Sequence, residues 1–226
     1  MGRQLTAADH FATTAAVARA SGSSEGVAVL VFVRHRLVLL ATPKTGSTAL
    51  HMALASRADM VFRNQPAVKH IGLRRYQRFV APLVAKFCDG PAETCALIRE
   101  PEDWLGSWYR YRARPALEET ERSTRGMDFE RFVQDYLRRP QPPHAAVGAQ
   151  GRFLTASQGT VRVDRLFRHD RMEDCCAWLS ERLETEIALP SANVSPTRPM
   201  VLSEATRARL RRERAGCFAL YEKAEG

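Results

Sequence analysis

The residues best suited to chemistry form one short run, Pro43-Lys44-Thr45-Gly46-Ser47-Thr48. It follows an apolar stretch, Leu37–Ala41, and precedes good helix formers over Ala49–Ser56. A helix start offers backbone N–H groups without intrahelical partners and a partial positive charge. Gly46 lets the chain bring those donors close to an anion. Thr45, Ser47 and Thr48 add hydroxyls, and Lys44 adds a full charge. Together they describe a phosphate cradle. It is not the Walker arrangement, which ends in Gly-Lys-Ser/Thr after an earlier glycine. Here the lysine precedes the glycine, and Ser47 follows it. A magnesium-dependent kinase or ATPase therefore loses its main support and stays as the alternative enzyme class.

A second constellation lies further along. The apolar run Ala96-Leu97-Ile98 ends in Arg99, Pro101 then suits a first helical turn, and Ser107 and Tyr111 follow. An arginine presents a fork of donors to phosphate oxygens. A serine two turns along the next helix can reach the same anion. Trp104, Trp108 and Tyr111 share a helical face and are expected to pack in the core. His70 is the candidate general base, because an imidazole exchanges protons near neutrality. No carboxylate between Asp59 and Asp89 competes for that role. His51 is second choice, on the helix after the loop and facing inward. His35, His144 and His169 read as turn or surface residues. Lys69 could touch either substrate.

The two motifs, in this order, resemble the sulfotransferases that use PAPS (3′-phosphoadenosine 5′-phosphosulfate). The family's phosphosulfate loop reads Pro-Lys-[Thr/Ser]-Gly-[Ser/Thr]-[Thr/Ser], and Pro43–Thr48 fits every position. The resemblance implies that Lys44, Thr45, Gly46, Ser47 and Thr48 hold the 5′-phosphate and sulfonate. It implies that Arg99 and Ser107 hold the 3′-phosphate, and that PAP is the product. Lys44 is then the residue that stabilises charge on the leaving phosphate, with His70 as base. No metal is expected. The likeness extends loosely over residues 37–221 to the carbohydrate-type members, and more to compact soluble ones. A non-catalytic nucleotide- or anion-binding module of the same fold is the remaining alternative.

These residues need elements to hold them. Two apolar runs, Val27–Val33 and Leu37–Ala41, are split by a short basic turn and predict adjacent strands, the second of them central. Further strands are expected at Asp59–Phe62, Thr94–Ile98 and Val161–Val163. Helices are expected over Ile71–Phe87, Pro101–Arg112, Phe129–Leu137, Met172–Leu183 and Ser203–Tyr221. Alternating strands and helices predict an α/β fold, a three-layer, P-loop-like parallel sheet flanked by helices. Residues 1–26 are expected to be an N-terminal arm, and 27–226 a single domain.

The 226 residues carry a formal net charge of +9, which favours an anionic partner. The loops Asn64–Arg78, Arg112–Gly126 and Pro140–Phe153 are expected to set the acceptor, a small molecule or carbohydrate. Their arginines (Arg74, Arg75, Arg78, Arg114, Arg122, Arg125) suggest that it is anionic. No nucleic-acid fingerprint occurs. No apolar run is long enough to span a bilayer and no signal-peptide core is visible, so a cytoplasmic protein without a membrane partner is expected. The five cysteines form no C-x-x-C pair and predict neither a disulfide framework nor a zinc site.

Overall fold

The computed structural model describes residues 29–63, 70–156, 161–190 and 197–225. The expected arm and Lys69 lie outside the described residues. The chain opens with β1 (Val29–Phe32) and β2 (Leu37–Leu39), every residue of which is buried. The turn between them, with Arg36 at φ 48°, sets Leu30 opposite Leu39 in an antiparallel pair. Helix α1 (Ser47–Leu54) leads to β3 (Met60–Phe62), which pairs antiparallel with the other edge of β1. Helix α2 (Leu73–Arg75) passes through a π-helical turn (Tyr76–Val80) into α3 (Ala81–Phe87). Then come β4 (Glu93–Ile98), α4 (Pro101–Arg112), α5 (Phe129–Leu137) and α6 (Gln150–Leu154). β5 (Thr155–Ala156) and β6 (Val161–Arg162) make a separate antiparallel ribbon. β7 (Arg165–Arg168), α7 (Met172–Arg182), α8 (Glu204–Glu213) and α9 (Ala215–Glu222) follow.

The main sheet runs β3-β1-β2-β4-β7. It is mixed rather than wholly parallel, which corrects the expectation. A parallel neighbour needs a crossover of a dozen or more residues, and the Val33–Arg36 turn is far too short for one. Only β2, β4 and β7 run parallel. Strand side chains alternate between two apolar clusters, as a pleat requires. Val29, Val31, Val38, Ala96, Ile98 and Leu166 meet Tyr76, Val80 and Val84 on one face. Leu30, Phe32, Leu37, Leu97 and Phe167 meet Leu50 and Leu54 of α1 and Leu179 of α7 on the other. A third cluster lies off the sheet, where Trp104, Leu105 and Tyr109 pack on Phe129, Phe132, Leu210 and Phe218.

Two further expectations change. The Val161–Val163 region feeds the small ribbon, and the strand that joins the sheet is β7. The last helix breaks at Arg214 (φ −123°, ψ 25°) into α8 and α9, although Ser203 does cap α8 by accepting from the Thr206 N–H at 3.2 Å. At the start of β4 the Asp164 carboxylate accepts from both the N–H (2.7 Å) and the hydroxyl (2.6 Å) of Thr94. That staple fixes the register in which Ile98 lies opposite Arg168.

Candidate functional site

The parallel strands β2, β4 and β7 end on the same side of the sheet, where α/β folds bind ligands. β2 empties into the Thr42–Gly46 loop, β4 into Arg99, and β7 into His169. The loop is braced from within. Thr45 and Ser47 both donate their hydroxyls to the Thr42 carbonyl, at 2.9 and 3.0 Å. Thr45 is fully buried, so its hydroxyl is committed to shaping the loop. Lys44 and Gly46 both take left-handed backbone, at φ 67° and 72°. The backbone conformation, more than space, is what calls for glycine at 46, since the near neighbour is the flexible end of a methionine. A Cβ there would meet Met172 Cε at 2.6 Å and the His169 ring at 3.6 Å.

The two sequence motifs come together. Arg99 Nη1 donates to the Lys44 carbonyl at 3.4 Å, across 55 positions of chain. Trp104 Nε1 donates to the Pro43 carbonyl at 2.9 Å. The Arg99 backbone is held by Gln150, which accepts from its N–H at 2.9 Å and donates to its carbonyl at 2.8 Å. The Arg99 side chain pairs with Asp103, which also meets Arg110 at 3.7 Å. The Ser107 side chain is buried on α4.

Lys44 sits in an aromatic cage. Its Nζ lies 3.9 Å from the Tyr111 ring centroid and 5.5 Å from that of Trp108, and these rings meet edge to face. Trp104 is core, as its spacing predicts, but Trp108 and Tyr111 serve the loop lysine as well as packing. Burial, and then the like charges of Arg114, Arg99 and Arg110, lower the Lys44 pKa from 10.5 to about 7. Lys44, Arg99, Arg110 and Arg114 act on one another here, with Asp103 meeting two of them, and such a concentration of positive charge suits an anion.

His70 lies on the far side of Pro43. Its Nδ1 is 3.0 Å from the Ala41 carbonyl, which can only accept, so in the neutral ring Nδ1 carries the proton and Nε2 is the basic atom. It lines a cleft of about 1240 Å³ together with Thr42, Pro43, Trp104 and Gln150. Lys44, Arg99 and Ser107 are not part of its wall, and Pro43 and Trp104 are where cleft and cation cluster adjoin. Of the loops expected to contact an acceptor, the 70–75 and 141–153 stretches contribute to its wall and 112–126 does not. His51 is buried on α1.

His169 stands in a 3-10 turn, within the expectation of a turn or surface residue, but it faces the loop. It is half-buried against Gly46, and burial first, then Arg99, lowers its pKa, with Asp103 and Asp170 opposing. Gln150 and Asp103 were not singled out by sequence either. Glutamine has no chemistry that marks it in a sequence, and Asp103 is legible only as a helix-spaced partner of Arg99. No family model, curated protein or solved structure matches the chain.

Proposed function

We propose that the chain is a sulfotransferase moving a sulfonate group from PAPS to a hydroxyl or amine of an acceptor. The observation that carries the proposal is the contact between Arg99 and the Lys44 carbonyl, which joins two motifs far apart in sequence into one anion-binding site. In this reading the architecture is a P-loop-like three-layer fold. The backbone N–H groups of Thr45–Thr48 cradle the 5′-phosphosulfate, with the Thr48 hydroxyl beside them. Arg99 and Ser107 take the 3′-phosphate.

Transfer is an in-line displacement at sulfur. The acceptor oxygen or nitrogen forms a bond to sulfur as the bond from sulfur to the bridging phosphate oxygen breaks. PAP leaves with that electron pair, and the acceptor proton passes to His70 Nε2. Lys44 stabilises the charge that grows on the departing phosphate. The acceptor occupies the cleft, whose wall has Arg74, Arg75, Arg139, Arg152 and Arg214 against Glu213. That balance favours an anionic acceptor such as an acidic carbohydrate.

Calorimetric titration with PAP and with ATP–Mg²⁺ tests the donor. Tighter binding of PAP is expected, and preference for ATP–Mg²⁺ would replace this reading with a kinase. Binding of PAP without transfer to any of a broad panel of hydroxyl and amine acceptors would favour a non-catalytic module. Full turnover by His70→Ala would remove His70 as the base.

A further inference from the structure

Three large apolar side chains stand in solvent along one helical run. Phe79, Leu83 and Phe87 are 63%, 48% and 59% exposed. Steps of four keep them on one side of the π turn and α3, while Tyr76, Val80 and Val84 are buried in the core. Arg74, Arg75, Arg78 and Lys86 on the same run are all exposed. The Arg78 guanidinium lies 5.1 Å from the Phe79 ring centroid. The sequence has no carboxylate between Asp59 and Asp89, so nothing on this helix offsets those four cations. An apolar stripe of this size needs a partner, and the flanking charge says what sign that partner has.

We infer that this face is a peripheral docking surface for an anionic lipid bilayer. Phe79, Leu83 and Phe87 enter the boundary between headgroups and acyl chains, and Arg78 and Lys86 meet the headgroups. A second copy of the chain is a poor occupant, because it would set these cations against their own copies. A polynucleotide would satisfy the cations but leave Leu83 and Phe87 facing water. Among the described residues no helix is long and apolar enough to cross a membrane. The expectation of no membrane partner rested on the lack of a spanning run and of a signal-peptide core, and a docked helix is a different attachment. The run begins at the cleft wall, through Gly72, Arg74 and Arg75, so docking holds that wall near the headgroups. This inference does not depend on the chemistry the cleft performs.

Sedimentation of the full chain with vesicles tests it, using phosphatidylcholine alone and the same lipid with roughly one-third phosphatidylglycerol. Binding is expected only with the anionic lipid, and weaker at high salt. Phe79→Ser/Leu83→Ser/Phe87→Ser is expected to lower the partition coefficient about tenfold or more, and Arg78→Glu/Lys86→Glu to do likewise. Both variants should keep the wild-type melting temperature and PAP affinity, since none of these side chains lines the cleft or meets the loop. No binding to anionic vesicles would overturn the inference. So would equal binding by the triple serine variant, or a wild-type dimer in solution that the triple variant makes monomeric.

Discussion

The two ends of the parallel strands treat charge in opposite ways. At the N-terminal ends Glu93 meets Arg165 at 3.3 Å and Arg182 at 3.6 Å, and Arg165 also meets Glu225 at 3.1 Å. Cations and carboxylates alternate there, and Asp164 is absorbed by Thr94. At the C-terminal ends Lys44, Arg99, Arg110 and Arg114 crowd together, with Asp103 meeting two of them. The first arrangement is complete as it stands. The second, by burial first and by repulsion after it, holds the Lys44 pKa down to about 7, and an arriving anion would raise it. Within one sheet, balance marks the end that holds the fold, and imbalance marks the end proposed to take the ligand.

Arg99→Ala separates the two ends most sharply. It removes charge-assisted hydrogen bonds from the ligand end, and PAP affinity measured by calorimetry is expected to fall about 100-fold. A drop of the same size in Glu93→Ala would abolish the distinction.

A pH series comes next in size. Lys44 titrates at about 7 in the empty protein, and a bound phosphate would raise that value. Binding therefore takes up a proton above pH 7, and PAP affinity should fall roughly tenfold between pH 7 and 9. Lys44→Arg, charged throughout that range, should flatten the slope. The sign for stability is the reverse. Because the folded pKa lies below the unfolded one, Lys44 destabilises the empty protein below pH 7, and that cost fades as pH rises toward 10.5. Lys44→Met should accordingly raise the melting temperature more at pH 6 than at pH 10, and an equal gain at both would show that the ammonium is not under strain.

The smallest effect belongs to the balanced end. Glu93→Ala is expected to cost about 1 kcal/mol in chemical denaturation while leaving PAP affinity within about twofold.

The parts legible in sequence were those with local causes. The Pro43–Thr48 run, the buried β2, the amphipathic α5 and the turn from β4 into α4 each announce themselves within a dozen residues. β7 did not, because Arg165-Leu166-Phe167-Arg168 hides two buried residues between arginines whose partners, Glu93, Glu225 and the Tyr221 carbonyl, are remote in the chain. Periodicity correctly put Trp104, Trp108 and Tyr111 on one face, but it cannot say that a lysine from another loop lies on two of them. Gln150 and His169 take their places from chain crossings of 51 positions and more, and no pattern in sequence encodes such a meeting. The mixed sheet was readable in part, since the turn after β1 already excluded a crossover.

The Thr94–Asp164 staple bears on how mutations in this protein should be interpreted. It stands at the opposite end of β4 from Arg99, yet it sets the register that brings Arg99 and His169 to the same level. Side chains in a strand alternate faces, so a slip of one residue between β4 and β7 would turn His169 away from the loop. A screen for inactive variants would then return Thr94 and Asp164 beside Lys44 and Arg99. Their distance from the loop would invite talk of a second site, when what they supply is alignment.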